Sequence, residues 1–222
     1  MLEQEIYKII HVSKEDMEHY ISKMKNNLEI LRQHQIPETY PEEVESLHFA
    51  LASILEPSIS REKFIEASAF PLISKDWLTI LAKYLSGKKC IEIMAGSGML
   101  SYGLKNEGID IIATDDFSWE ISNQWTDIEQ IDCLKAIRKY AVERPYIIMS
   151  WPEMNAEAFH VLTTMREVNP MARLIYIGEY GGCCANSDFV NAANIIDSDY
   201  SRKINEKFQS WQGIHDLVMI IK

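Results

Sequence analysis

The residues whose types and spacing suggest ligand binding are concentrated in residues 88–116. Glu92 lies in a short apolar run, and a loop of small residues follows it, Ala95-Gly96-Ser97-Gly98. Such a loop lets the backbone turn sharply from a strand into a helix and brings its amides close to a ligand. A second apolar run leads to Asp115, where a carboxylate can accept hydrogen bonds from both hydroxyls of a ribose. This order predicts a nucleoside site, and a tight turn that binds nothing is the alternative.

Two details distinguish between the nucleoside ligands that such a loop accepts. The dinucleotide fingerprint Gly-x-Gly-x-x-Gly fails, because Ser101 occupies the third glycine position. The stretch from Glu92 to Gly98 instead resembles the first motif of S-adenosylmethionine (SAM)-dependent methyltransferases, E/D-x-G-x-G-x-G, with Met94 in place of the first glycine. The resemblance implies a set of SAM-binding residues in this stretch and at the end of the second apolar run: Glu92, Ala95, Gly96, Ser97, Gly98 and Asp115.

The resemblance continues along the chain. Asp132 and Cys133 follow a short run, 128–131, that fits a third strand, and an acid at this point receives the adenine amino group in this class. Ser150-Trp151-Pro152 ends a fourth run, where methyltransferases carry the motif that faces the transferred methyl group. The whole pattern is similar to a family of poorly characterised methyltransferase-like proteins, over about residues 70–222: IEIMAGSGMLS, TDDFSW, DCLKAI, IIMSWPEM and LIYIGEYGG. It implies a Rossmann-like fold, SAM as cofactor and methyl transfer.

Candidates for the chemistry lie at the carboxyl ends of the strands, where ligands bind in open α/β sheets. The methyl group of SAM is already electrophilic, so the protein mainly has to align a nucleophile. Ser150 and Trp151 belong to a stretch that partly matches the S/N/D-P-P-Y/F/W motif of amino-methylating enzymes. Trp151 is predicted to form a wall of the ligand site; the alternative is that its side chain is buried in the core. Glu179 is predicted as a base or an amine anchor, with a loop-capping role as the alternative.

The elements that must position these residues follow an α/β pattern. Short apolar runs alternate with helix-length segments and predict parallel strands at 90–94, 109–114, 146–150 and 174–178. Residues 203–211 and 215–221 fit two further strands joined by a turn at Gly213. The prediction is a Rossmann-like methyltransferase sheet, mostly parallel, with a C-terminal antiparallel hairpin. Residues 1–70 are predicted as an N-terminal helical region and 71–222 as the SAM-binding methyltransferase-like domain.

The N-terminal region carries apolar stripes at helical spacing and no recognisable chemistry. Ser13 and Asp16 resemble a capping box before the first stripe. A second helix is predicted over residues 42–55, with an inner face of Val44, Leu47, Leu51, Ile54 and Leu55. Both stripes are predicted to pack on the main domain; binding a partner or covering the substrate is the alternative.

Composition limits the possible partners and the location. The chain has 33 acidic and 22 basic residues, a net charge of −11, which disfavours sequence-independent nucleic-acid binding. The four cysteines have no disulfide-framework spacing and the six histidines no ligand spacing, so reduced thiols and no metal site are expected. The N-terminus lacks the features of a signal peptide, and no apolar run could span a bilayer. We therefore expect a cytoplasmic protein acting on a small-molecule or protein substrate.

Three functions fit these observations. The first is an active SAM-dependent methyltransferase. The second is a SAM-binding protein of the same fold without turnover, which Met94 and the irregular fourth-strand motif favour. The third is a nicotinamide-dependent oxidoreductase, which Ser101 and the predicted C-terminal hairpin disfavour.

Overall fold

The computed structural model describes residues 12–120 and 123–222. The part of the predicted N-terminal helical region that comprises residues 1–11 lies outside the described residues. The helices are α1 (Lys14–Arg32), α2 (Leu47–Leu55), α3 (Arg61–Ala67), α4 (Lys75–Leu85), α5 (Met99–Asn106), α6 (Cys133–Tyr140), α7 (Glu157–Val168), α8 (Ser187–Ala192) and α9 (Asp199–Asn205), with 3₁₀ turns at Glu42–Glu45 and Pro57–Ile59. The strands are β1 (Lys89–Ile93), β2 (Asp110–Asp115), β3 (Ile128–Gln130), β4 (Tyr146–Ser150), β5 (Arg173–Glu179), β6 (Ile195–Ile196) and β7 (Asp216–Ile221).

The strands form one seven-stranded sheet in the order β3-β2-β1-β4-β5-β7-β6. Strands β1 to β5 pair in parallel, and β7 runs antiparallel to both β5 and β6. The predicted fold class, a mostly parallel sheet with antiparallel C-terminal strands, is therefore confirmed. Strand order reverses between β1 and β4, which places a crevice at the carboxyl ends of these two strands.

The predicted tail hairpin is wrong in its first strand. Residues 203–211 do not form a strand; they include the end of α9 and a loop, and β6 is only two residues long. The side chain of Ser198 caps α9 by accepting from the Tyr200 amide. The apolar residues of this segment, Ile204, Phe208 and Trp211, recur at spacings of four and three and are all buried. Phe208 packs against Trp77 of α4, and Trp211 packs against aromatic residues of α2 and α3. These side chains are thus buried against helices rather than within a sheet, and their spacing is closer to the helical period than to that of a strand.

The N-terminal helices agree with the first predicted stripe and only partly with the second. Ser13 caps α1 by accepting from the Asp16 amide, and the stripe of α1 is buried. The predicted helix 42–55 is divided at Ser46, which caps α2. Contrary to the prediction, Leu47 and Ile54 are 62% and 73% exposed.

The helices cover both faces of the sheet. One hydrophobic core contains the apolar faces of α1 to α5 together with Ile148 and Ile175 of the sheet. The other lies beneath α6, α7 and α8 on the opposite face. The N-terminal helices thus share a core with the sheet. Among the described residues, no helix combines the length and apolarity required to cross a membrane.

Candidate functional site

The loop that follows β1 contains three residues in the left-handed backbone region. Met94, Gly96 and Gly98 have φ angles of 51°, 53° and 72°. Gly98 is the residue immediately before α5, so the chain reverses within five residues from strand to helix. Met94 adopts the conformation for which a glycine is the usual residue, at an expected strain of about 1–2 kcal/mol. At Met94, where the motif has its first glycine, the backbone therefore adopts the left-handed conformation although the residue is not glycine.

Asp115 joins this loop to the loop after β2. Its Oδ2 accepts a hydrogen bond from the Gly96 amide at 2.8 Å, and its Oδ1 accepts one from the Phe117 amide at 2.7 Å. Each carboxylate oxygen has a further lone pair, and the side chain is half-buried on the wall of a cavity. The aspartate thus fixes the glycine loop while it keeps acceptor capacity toward a ligand.

Glu92 supports the same loop from beneath. Its Oε2 accepts from both the amide and the hydroxyl of Ser101, at 3.0 and 2.5 Å. The side chain is buried, and this burial raises the pKa of Glu92 to about 7. Ser101, which breaks the dinucleotide fingerprint, is therefore the residue that clamps the start of α5 to β1.

A cavity of about 500 Å³ opens at the carboxyl ends of β1, β2 and β4. A smaller pocket of about 60 Å³ adjoins it and shares six lining residues with it. The position coincides with the reversal of strand order, where α/β sheets of this kind bind ligands. The volume lies within the range of small-molecule and cofactor sites.

The predicted site residues fall into three groups, according to whether they line the large cavity, only the small pocket, or neither. Those that line the large cavity are Gly96, Ser97, Asp115, Cys133 and Trp151. Those that line only the small pocket are Glu92, Ala95 and Ser150. Those that line neither are Gly98, Asp132 and Glu179.

Asp132 and Cys133 lie at the start of α6. The Oδ1 atom of Asp132 caps the helix by accepting from the amides of Leu134 and Lys135, both at 3.1 Å. The Cys133 thiol lies 3.4 Å from Oε1 of Glu157, and burial raises the pKa of this thiol far above its usual value. Ligand atoms of Asp132, Cys133 and Glu157 lie within 4.8 Å of one another, so the predicted absence of a metal stays a prediction.

Trp151 forms one wall of the cavity. Its backbone is left-handed, with a φ of 51°, and its amide donates to the Ile177 carbonyl at 2.8 Å. Its indole ring stacks on Phe70, with ring centroids 5.5 Å apart and planes at 12°. The guanidinium carbon of Arg61 lies 5.2 Å from the centre of the indole ring. The indole ring therefore contacts Arg61 of α3 and Phe70 of the segment after it, while the backbone of Trp151 is hydrogen-bonded to β5.

The contacts of Glu179 are those of a loop cap. Its Oε2 accepts from the Cys183 amide at 2.8 Å, and its Oε1 accepts from the His215 amide at 3.1 Å. These hydrogen bonds, that of Cys183 first, lower the pKa of Glu179 to about 2. A carboxylate of so low a pKa is a weak proton acceptor. The geometry favours the capping alternative over a role as base.

The aromatic residues that follow β2 divide between the surface and the core. Trp119 is 63% exposed at the edge of the cavity, and its indole nitrogen donates to Oε1 of Glu153 at 2.7 Å. Trp125 is buried, stacks on His34 at 4.7 Å and donates to the Ala67 carbonyl. Trp119 is thus available to a ligand, whereas Trp125 anchors the loop.

Comparisons with known proteins give structural neighbours and no sequence relatives. No family model matches the chain, and no curated protein matches it. Among solved structures, the chain is similar to a tRNA (uracil-54, C5)-methyltransferase of Pyrococcus abyssi in complex with S-adenosyl-L-homocysteine, with a TM-score of 0.42, 13% identity, and coverage of 70% of this chain and 40% of that chain. It is also similar to a SAM-dependent methyltransferase of Agrobacterium tumefaciens, with a TM-score of 0.35, 11% identity, and coverage of 65% and 59%.

A third similar structure is human N-acetylserotonin methyltransferase in complex with SAM, with a TM-score of 0.38, 13% identity, and coverage of 90% of this chain and 66% of that chain. The chain thus spans between 40% and 66% of the length of these three neighbours.

The N-terminal region contributes to the cavity, a role that the sequence suggested only as an alternative and without naming residues. Five consecutive or neighbouring residues of that region line it: Ile65, Glu66, Ser68, Ala69 and Phe70. The hydroxyl of Ser97 donates to the Ser68 carbonyl, which ties this segment to the glycine loop. These residues form no motif, and a backbone carbonyl carries no sequence signal. Their position becomes evident only from contacts in the folded chain, such as that between Ser68 and Ser97.

Proposed function

We propose that the protein binds SAM in the large cavity and transfers its methyl group to a small-molecule or protein acceptor. The observation that carries this proposal is the Asp115 carboxylate. It stands at the carboxyl end of β2, bound to the Gly96 amide, on the wall of a cavity that opens at the point of strand-order reversal. An acid in this position suits the two hydroxyls of a ribose.

The residues present fit the proposed cofactor. A Cβ atom built on Gly96 would meet no protein atom within 4 Å, so the loop leaves open space beside a cavity-lining residue. We assign the sugar to Asp115 and the adenine to the end of β3, where Asp132 and Cys133 lie. The methionine end is assigned to the glycine loop, with Glu92 and the small pocket behind it. Glu92 acts in this assignment by holding the loop through Ser101.

When bound, SAM supplies an electrophilic methyl group, so the protein needs to bind and align the acceptor rather than activate the donor. Trp151 and Phe70 present a stacked aromatic wall along which an acceptor can be oriented. Glu179 is committed to its loop, so we assign it no proton transfer.

Asp115→Ala tests the cofactor assignment. We expect SAM and S-adenosylhomocysteine, but not NAD⁺, to stabilise the native protein, by about 2.7 kcal/mol at a hundredfold excess over Kd. The Asp115→Ala variant should lose this thermal shift. The matched control is Asp110→Asn, at the opposite end of the same strand, where the carboxylate pairs with Arg144. If Asp115→Ala responds to the ligands like the wild type, the ribose assignment is wrong.

Turnover is tested separately. Radiolabelled SAM is incubated with the protein and with fractionated small-molecule, protein and RNA pools, and the label is followed into each pool. Transfer into the small-molecule or protein pool supports the proposal. Binding of SAM with no transfer to any pool would favour the second candidate, a SAM-binding protein without turnover.

A further inference from the structure

The large cavity is lined by charge of one sign. Six of its lining residues are acidic and none is Lys, Arg or His within the described parts of the chain: Glu66, Asp115, Asp116, Glu120, Glu153 and Glu157. A concave surface of one sign concentrates its field inside the cavity and attracts ligands of the opposite sign. Ligands of net negative charge, such as phosphate esters, would meet repulsion there, because no cationic side chain among the described residues lines the cavity.

Nearby basic side chains of α3 only partly reduce this charge. Lys63 pairs with Glu66 at 2.8 Å, and the Arg61 guanidinium lies against the Trp151 ring. In contrast, the carboxylate of Glu153 accepts, among the described residues, only from uncharged donors, the Trp119 indole nitrogen at 2.7 Å and the Asn155 amide nitrogen at 2.9 Å. These two hydrogen bonds leave lone pairs of the carboxylate available at the cavity wall.

The hydrogen bond between Trp119 and Glu153 places an aromatic ring beside this carboxylate. Trp119 is largely exposed, and Phe70, which lines the same cavity, is 42% exposed. Aromatic faces attract cations through the ring quadrupole, and a carboxylate adds a charge-assisted hydrogen bond to an N–H donor. A carboxylate and open indole face together form a site for an ammonium group on an apolar body.

We propose that the methyl acceptor is an amine that binds as its ammonium form between Glu153, Trp119 and Phe70. Before transfer the nitrogen would lose one proton to water at this exposed position. Its freed lone pair would then form the bond to the methyl carbon while the bond from that carbon to sulfur breaks, with S-adenosylhomocysteine as the leaving group. The proposal rests on the proposed function, because it assigns Asp115 and the glycine loop to the cofactor and leaves this part of the cavity to the acceptor. The stacked pair of Trp151 and Phe70, which also lines the cavity, favours a flat or aromatic body on the amine.

The test uses three probes of similar size and different charge. Phenethylamine is cationic at neutral pH, 2-phenylethanol is neutral and 3-phenylpropionate is anionic. Their binding to the full chain is measured by calorimetry in the presence of saturating S-adenosylhomocysteine. We expect saturable binding of phenethylamine, weaker binding of the alcohol and no binding of the carboxylate. Raising the salt concentration should weaken the amine alone.

Variants locate the site. Glu153→Gln keeps acceptor and shape but removes the charge, and should raise the Kd for phenethylamine about tenfold, as expected for the loss of a charge-assisted hydrogen bond. Trp119→Ala should weaken the amine as well, whereas Trp119→Phe, which keeps an aromatic face, should retain most of the affinity. Glu143→Gln, a surface acid outside the cavity, is the matched control.

The outcomes separate the two proposals. Binding of S-adenosylhomocysteine without preference for the amine, or an unchanged Kd in Glu153→Gln, overturns the acceptor proposal and leaves the proposed function intact. Failure to bind S-adenosylhomocysteine overturns the proposed function, and the acceptor proposal with it.

Discussion

At the scale of single residues, two glycines allow the loss of a ligand contact to be distinguished from the cost of backbone strain. Gly96 and Gly87 both have left-handed φ angles, 53° and 72°, and a Cβ on either would meet no protein atom within 4 Å. An alanine at either position should therefore cost a similar free energy of folding, about 1–2 kcal/mol. Only Gly96 lines the cavity.

We therefore expect Gly96→Ala to lose affinity for S-adenosylhomocysteine by at least about tenfold, and Gly87→Ala to keep it, since a backbone that must approach a ligand tolerates no Cβ there. Urea unfolding of both variants measures the shared strain, and calorimetry measures the affinities. Equal affinities in the two variants would mean that the ligand does not contact this turn.

The buried carboxyl group of Glu92 leads to a second prediction, which concerns the pH dependence of the free energy of unfolding. Its pKa is raised from 4.5 to about 7 in the folded protein, because burial disfavours its charged form. The folded state then binds the proton more tightly than the unfolded state. The contribution of Glu92 to stability is complete below about pH 4.5 and is lost as the pH rises through about 7, by up to about 3 kcal/mol.

Glu92→Gln keeps an oxygen for the two hydrogen bonds from Ser101 and cannot ionise. The stability of this variant relative to the wild type should therefore increase between pH 5 and pH 8, as measured by urea unfolding at several pH values. Glu143→Gln, at an exposed position, should show no such trend. Parallel pH curves for Glu92→Gln and the wild type would contradict the prediction.

At the scale of elements, the sequence predicts what depends on local pattern. The first five strands follow from apolar runs, and α5 begins directly after the glycine loop that predicts a turn from a strand into a helix. The first strand of the tail was predicted wrongly because Ile204, Phe208 and Trp211 are apolar residues in a short segment, where strand and helix periods are hard to distinguish. Their partners are helices that lie far away in the chain.

The candidate site follows the same rule. Asp115 and the loop 94–98 could be predicted because strand, turn and acid are neighbours in sequence. The wall formed by residues 65–70 could not, since its contacts, such as that of Ser68 with Ser97, join parts of the chain that carry no shared motif. The role of Glu179 was also undetermined, because a base and a loop cap require the same residue type in the same kind of loop.

At the scale of the whole molecule, the N-terminal helices and the sheet form one folded unit. Trp211, which precedes β7, packs against Phe49 of α2 and Phe64 of α3, with ring centroids 4.8 and 5.4 Å apart. Helix α3 and the segment that follows it supply a wall of the cavity. The cavity therefore cannot keep its shape if the N-terminal helices detach, and ligand binding should stabilise both parts together.

This shared core predicts a single unfolding transition. Phe64 is 1% exposed, and Phe64→Ala should destabilise the entire protein by about 3–5 kcal/mol, because it leaves a cavity beside Trp211. The control is Ile54→Ala in the same region, where the side chain is 73% exposed and the change should be within about 0.5 kcal/mol.

Urea unfolding is followed by far-UV circular dichroism and by tryptophan fluorescence. Coincident curves that shift together in Phe64→Ala are expected, because every part of the molecule depends on this core. Two separated transitions, of which Phe64→Ala moves only the first, would show that residues 12–70 fold as an independent unit.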